Sequence, residues 1–286
     1  MRVKYSDFSQ FLSEVRLKNM KIAIIGGGNM GEAILKALLE QKMCLPEDIA
    51  VGEVSEPRRQ YLQKRYGVSA TAGNRDAVKG KSLVVLAVKP QEFPGVLAGL
   101  KGSLQPDQVV LSIAAGVRIG TITGGLGHRK VVRSMPNTPA QIGLGISGWM
   151  ATPEVTAEQK AWVRLLLSAM GKEIYFDDEK YLDMVTAVSG SGPAYVYLFS
   201  ESLIDGAMDL GMSRQDAQAL VLQTVLGAAH LMLQSEKTPA ELRRDVTSKG
   251  GTTERALKVF EESDLAGIVA RALAAACRRA QELGGG

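Results

Sequence analysis

Lys21-Ile22-Ala23-Ile24-Ile25-Gly26-Gly27-Gly28-Asn29-Met30-Gly31 decides how the first half of this chain folds. A short apolar run ends in glycines, and from Met30 to Gln41 the apolar residues recur at helical spacing. Gly26–Gly31 satisfies G-x-G-x-x-G between a predicted strand and a predicted helix, which is the context that pattern requires. Gly26 permits the tight turn, Gly28 lets the backbone approach a pyrophosphate, and Gly31 lets the helix pack close to the sheet. Asn29 and Met30 begin a helix whose free N–H groups and positive dipole end favour an anion. The ligand expected here is a dinucleotide.

Outward from that loop, strands and helices alternate. Ile49–Glu53 reads as a second strand, with a helix from near Pro57. Leu83–Val88 is stopped by Lys89-Pro90 and Val109–Ala114 by Gly116; Val131–Met135 and a weaker Ile146–Met150 follow. Thr156–Met170 reads as a helix and Glu173–Phe176 as a last strand. This alternation predicts a parallel sheet covered on both faces. From about Tyr181 strand signals vanish. Ser213-Arg214-Gln215-Asp216 reads as a helix start, and Thr238-Pro239-Ala240-Glu241 as a capping box. Thr252–Glu262 and Asp264–Glu282 close the chain before a glycine tail expected to fray. The expected class is α/β: a Rossmann-type dinucleotide-binding domain over residues 20–180, then an all-α helical domain over 181–286. Residues 1–19 read as an extension, either helical or an artefact of the start codon.

Several residues compete for the nucleotide. Glu53 lies 22 residues after Gly31, where an acid bonds the ribose hydroxyls and repels a 2′-phosphate, favouring NADH. Ser55, Arg58 and Arg59 follow it and suit that phosphate, favouring NADPH; a solvated helix face is the other reading of the arginines. Ala87, Lys89, Pro90 and Ala115 fall at strand ends on the carboxyl edge, where open α/β sheets bind ligands. Lys89 either caps a strand end or touches the ribose or nicotinamide.

Composition narrows the function. The 286 residues are 45% apolar and 22% charged with a net charge of +4, an ordinary globular balance. Basic clusters are short and lack interleaved aromatics, so no nucleic-acid partner is expected. With Cys44, Cys277, His128 and His230 the only cysteines and histidines, neither a disulfide framework nor a metal site is expected. No apolar stretch approaches membrane-spanning length, and the first 19 residues lack a secretory core, so the expected setting is cytoplasmic, away from membranes.

Late in the chain, Asp245-Val246-Thr247-Ser248-Lys249-Gly250-Gly251-Thr252-Thr253-Glu254 places hydroxyls and glycines at a helix start. Such a polar turn suits a small anion. Gly26–Gly31, Ala87–Pro90, Ala114–Val117, Arg133–Pro139, Ser189–Tyr195 and Asp245–Thr253 occur in this order. The series closely resembles pyrroline-5-carboxylate reductase over about residues 20–283. The resemblance implies that the helical domain interlocks with a second subunit in a homodimer, with dimers gathered into a ring such as a decamer. It implies hydride transfer from NADPH or NADH to a cyclic imine carboxylate, giving L-proline in the last step of proline synthesis. A protonated imine is already electrophilic, so position, a carboxylate clamp and a hydrogen bond to nitrogen matter more than acid catalysis. No lysine lies between Lys180 and Lys237, unlike the β-hydroxyacid dehydrogenases, which place a catalytic lysine in the stretch corresponding to Gly192–Ser200.

By the same resemblance, Ser248 and the N–H groups of Gly251 and Thr252 hold the carboxylate, Thr253 bonds the ring nitrogen, and Glu236 is an acid near the substrate. Helix capping and a solvated helix end are the plain alternatives for the threonines and for Glu236. Asn137 and Thr138 either shape the cofactor side or make a proline-bounded turn. The glycines of Ser189–Tyr195 either pack closely or line the site, and His230 reads as buried or at an interface. Two competing functions stand beside the reductase: reduction of a six-membered cyclic imine, and non-catalytic sensing of the nucleotide.

Overall fold

The structure, a computed structural model, describes residues 20–285, so the expected extension lies outside it. Strand β1 (Ile22–Ile25) has every side chain buried, as a strand covered on both faces must. There follow α1 (Asn29–Glu40), β2 (Ile49–Gly52), α2 (Glu56–Tyr66), β3 (Ser69–Thr71), α3 (Asn74–Val78), β4 (Leu83–Leu86) and α4 (Phe93–Leu100). Then come β5 (Val109–Ser112), α5 (Ile119–Leu126), β6 (Val131–Met135), β7 (Gly145–Ala151), α6 (Ala157–Ala169) and β8 (Gly171–Tyr175). The eight strands lie in the order β3-β2-β1-β4-β5-β6-β7-β8. β1 and β4 run parallel, but successive strands are added outward from this pair in opposite directions, first β2 and β3 and then β5 onward, which puts a crevice at the carboxyl ends of these two strands. Alternate residues of β1 feed opposite cores: Ile22 and Ile24 join one, Ala23 and Ile25 the other.

Two features depart from the sequence expectation. β3 is an edge strand of three residues, Ser69–Thr71, too short and too polar to give a strand signal. β7 runs antiparallel to β6. Residues 136–144 that join them hold only a 3₁₀ turn at Thr138–Ile142, too few for the crossover that a parallel neighbour needs.

After β8, among the described residues, there are only helices: α7 (Lys180–Val185), a π-turn (Thr186–Gly190), α8 (Gly192–Asp209), α9 (Arg214–Gln234), α10 (Pro239–Asp245), α11 (Thr252–Glu262) and α12 (Leu265–Leu283). The expected starts are present. Ser213 Oγ accepts the Asp216 N–H at 3.1 Å, and Thr238 and Glu241 form a reciprocal capping box. Contacts divide the chain into two units, one of residues 20–190 with 277–285 and the other Ser191–Ala276. The end of α12 therefore belongs with the sheet. The tail is held rather than frayed as far as Gly284. Its N–H donates to the Ala280 carbonyl at 3.2 Å, and a Cβ on it would lie 2.5 Å from Arg118 Nε.

One expectation about membranes needs correction. By length and composition α9 is long and apolar enough to cross a bilayer, and nearly all of it is exposed in the chain by itself. Gln218, Gln223, Thr224 and His230 break it into short apolar runs, so it presents no continuous apolar stretch. Leu220, Leu222, Leu226, Leu231 and Leu233 are all exposed, and such a helix needs an apolar partner.

The first unit also buries charge. Arg133 on β6 is 1% exposed; it donates to Glu179 at 2.7 Å and lies 3.7 Å from Asp183 Oδ1. Asp183 Oδ2 pairs with Arg118 at 2.9 Å, and Glu179 also accepts the Ile119 N–H at 2.9 Å. These pairs tie α7 to β6 and to the start of α5. Removing one partner strands a buried charge. Asp183→Ala is expected to cost about 3 kcal/mol in urea unfolding at fixed protein concentration. A loss under about 1 kcal/mol would mean that water already solvates the pair.

Candidate active site

The glycine loop is built as its spacing requires. Gly26 has φ +100°, and a Cβ there would meet the Ala87 carbonyl oxygen at 2.8 Å. A Cβ on Gly31 would lie 2.0 Å from the Gly26 carbonyl oxygen, so α1 approaches the turn too closely for any side chain. Gly28 differs: a Cβ there would meet nothing within 4 Å. It opens onto a cleft of about 520 Å³ lined by Gly26, Glu53, Val54, Asn74, Ala87 and Lys89 among others. Gly28 is also the N-cap of α1, and no side chain caps that end. The N–H groups of Asn29, Met30 and Gly31 therefore lie where the helix supplies no acceptor. The Met30 side chain packs on the core, so its contribution to a ligand is its backbone. An uncapped helix end, an open Gly28 and a cleft of this size fit a dinucleotide pyrophosphate.

Glu53 follows β2 and is gripped by its own chain. Its Oε2 accepts the Gly27 N–H at 2.9 Å and its Oε1 the Ser55 N–H at 2.8 Å. The carboxylate is thus fixed at the cleft wall, where it suits ribose hydroxyls and opposes a phosphate. Glu53→Ser is expected to raise the NADPH-to-NADH ratio of kcat/KM about tenfold, as loss of one close repulsion implies. An unchanged ratio would take Glu53 away from the ribose. The arginines read as phosphate ligands are engaged elsewhere. Arg58 Nε donates to the Gly27 carbonyl at 2.6 Å and its guanidinium pairs with Glu32, while Arg59 donates to the Glu53 and Val54 carbonyls at 2.8 Å each. Neither arginine lines the cleft, and Ser55 is exposed beside it.

At the neighbouring strand ends, Lys89 is exposed and lines the cleft, whereas Pro90 lines a separate groove of about 540 Å³ with Gly116. Ala115 is half-buried in the loop after β5. Asn137 makes the turn: its Oδ1 accepts the Ile146 N–H at 2.9 Å. At Gly190 a Cβ would meet the movable end of the Met135 side chain at 2.6 Å, and at Gly192 nothing within 4 Å. The sequence reading passed over Asn74 and Val54. Asn74 starts α3 directly after the unrecognised β3, so losing that strand lost the residue.

In the second unit, the hydroxyl-rich turn joins α10 to α11. Gly250 has φ +74° and its N–H donates to Glu254 at 2.7 Å. Gly251 is the N-cap of α11, with no side-chain cap. Its N–H donates to the Ser248 carbonyl at 3.0 Å, so the turn itself uses the donor that the sequence reading assigned to a carboxylate. The Ser248 hydroxyl lies over Gly251, where a Cβ would approach it to 2.5 Å. Thr252 and Thr253 occupy the first turn, where N–H groups have no helical acceptor. Glu236 is exposed in the loop between α9 and α10, and its neighbour Lys237 holds that loop to Asp245 at 2.6 Å, directly before the turn. His230 on α9 is exposed in the chain by itself, not buried.

A pyrroline-5-carboxylate reductase of Synechocystis sp. is 43% identical over 266 residues, covering 93% of this chain and 99% of the relative. The chain belongs to the pyrroline-5-carboxylate reductase family. A family relative from Pseudomonas aeruginosa is 42% identical over 92% of this chain and 96% of its own. Among solved structures, the reductase of Coxiella burnetii superposes with a TM-score of 0.86 at 38% identity, covering 92% of this chain and 98% of that one. That of Plasmodium falciparum, solved with NADP bound, gives 0.84 at 31% identity over 93% and 98%. Residues 179–283 match the model for pyrroline-5-carboxylate reductase dimerisation, and residues 21–116 one described as NADP oxidoreductase, coenzyme F420-dependent. The dimerisation match spans the helices with exposed apolar faces, α9 among them.

Proposed function

We propose that this chain reduces 1-pyrroline-5-carboxylate to L-proline with NADH or NADPH, the final step of proline biosynthesis. The observation that carries this is one chain holding both an uncapped, glycine-opened helix end at a cleft and the Ser248–Thr253 turn, in a family of that activity. The nucleotide supplies the hydride. The N-terminus of α1 and the Gly26–Gly31 backbone bind its pyrophosphate, and Glu53 takes the ribose hydroxyls. The Ser248 hydroxyl and the Thr252 N–H hold the substrate carboxylate, with Gly251 keeping the turn tight. Thr253 orients the ring nitrogen, and Glu236 is the acid beside the substrate.

The chain works as a homo-oligomer on a small molecule, and we place it in the cytoplasm as a dimer gathered into a ring such as a decamer. Light scattering gives the subunit number. A paired assay with NADH and NADPH on the cyclic imine tests the activity. Oxidation of neither nucleotide, despite tight binding of one, would replace the enzyme by a nucleotide sensor. Faster turnover of the six-membered ring would change the substrate.

A further inference from the structure

Arg58 stands three residues into α2, just past the strand end that presents Glu53. A guanidinium there is well placed in sequence to meet a ribose 2′-phosphate. The fold holds it otherwise. Its Nε donates to the Gly27 carbonyl at 2.6 Å, its Nη2 pairs with Glu32, and its Cζ lies 4.9 Å from the Tyr61 ring centroid. Glu32 lies in the first turn of α1 and is held firmly. Its Oε1 accepts the Tyr66 hydroxyl at 2.7 Å and the Tyr61 hydroxyl at 3.0 Å. Burial by itself would raise the Glu32 pKa, but hydrogen bonds from Tyr66, Arg58 and Tyr61 outweigh it and leave the carboxyl below its usual range. Burial and the bond to Glu32 push the Tyr66 phenol up, so it remains a donor.

We propose that Glu32 determines nucleotide preference: it draws Arg58 onto the Gly27 carbonyl and away from the cleft. A 2′-phosphate would then meet the Glu53 carboxylate without a compensating cation, and the site favours NADH. This rests on the dinucleotide reading of the cleft. A planar guanidinium with two fixed partners does not swing to a third without losing both, so the preference is built into the α1–α2 contact.

The test is titration of the full-length chain with NADH and with NADPH, followed by fluorescence or calorimetry, so that no turnover is needed. Wild type is expected to bind NADH more tightly. Glu32→Gln keeps an acceptor for the two tyrosines but removes the carboxylate charge that holds Arg58. It is expected to shift the ratio of the two Kd values about tenfold toward NADPH. Adding Arg58→Met to it should abolish the shift. Because the ratio is taken within one preparation, a lower folded fraction cancels. An unchanged ratio in Glu32→Gln, or a shift that survives Arg58→Met, overturns the role of Glu32 alone. Binding of neither nucleotide to wild type overturns it together with the dinucleotide reading.

Discussion

Thr253→Ala is expected to lower turnover of the cyclic imine about a hundredfold, with nucleotide affinity unchanged. Thr253 stands in the first turn of α11, half-buried, behind an N-cap glycine that has no side chain to offer. Its hydroxyl is not the cap of this helix, so alanine removes no structural bond there and slightly favours the helix. The loss therefore reports on the ligand. If the hydroxyl orients the ring nitrogen, alanine leaves the imine bound by its carboxylate but poorly aimed, and kcat falls more than KM rises. Thr253→Ser keeps the hydroxyl and should retain most of the rate. Full activity in the alanine variant would remove Thr253 from the nitrogen.

The second large effect separates two glycines of one motif. Gly31→Ala puts a methyl 2.0 Å from the Gly26 carbonyl oxygen. Neither backbone can yield without opening the turn, so a stability loss of about 3 kcal/mol and loss of nucleotide binding are expected together. Gly28→Ala meets nothing in the chain, and its φ of −69° suits any residue. Its melting temperature should match wild type. Its methyl enters the cleft, so NADH affinity should fall at least about tenfold. Unaltered affinity in Gly28→Ala would place the nucleotide elsewhere.

Much of the first unit was legible because its signals are local. Four-residue apolar strands, a glycine turn and a helix stripe lie within about twenty residues of one another, and backbone sterics act at that range. The capping box at Thr238 and the N-cap at Ser213 were legible for the same reason, since each closes over three residues. β3 was not, because an edge strand of Ser, Ala and Thr takes its conformation from β2 rather than from its own composition. The direction of β7 followed from the length of its connection, which periodicity does not express.

The sequence by itself determined the alternation of strands and helices in the first unit, β3 apart, the helical character of the second, and the family to which the chain belongs. Only the tertiary structure decided what the charged residues do. Arg58 meets Glu32 across 26 positions, Arg133 meets Glu179 across 46, and Gly251 gives its N–H to its own turn. A charge or donor takes whichever partner the fold brings within about 3 Å, and that choice has no periodicity to read.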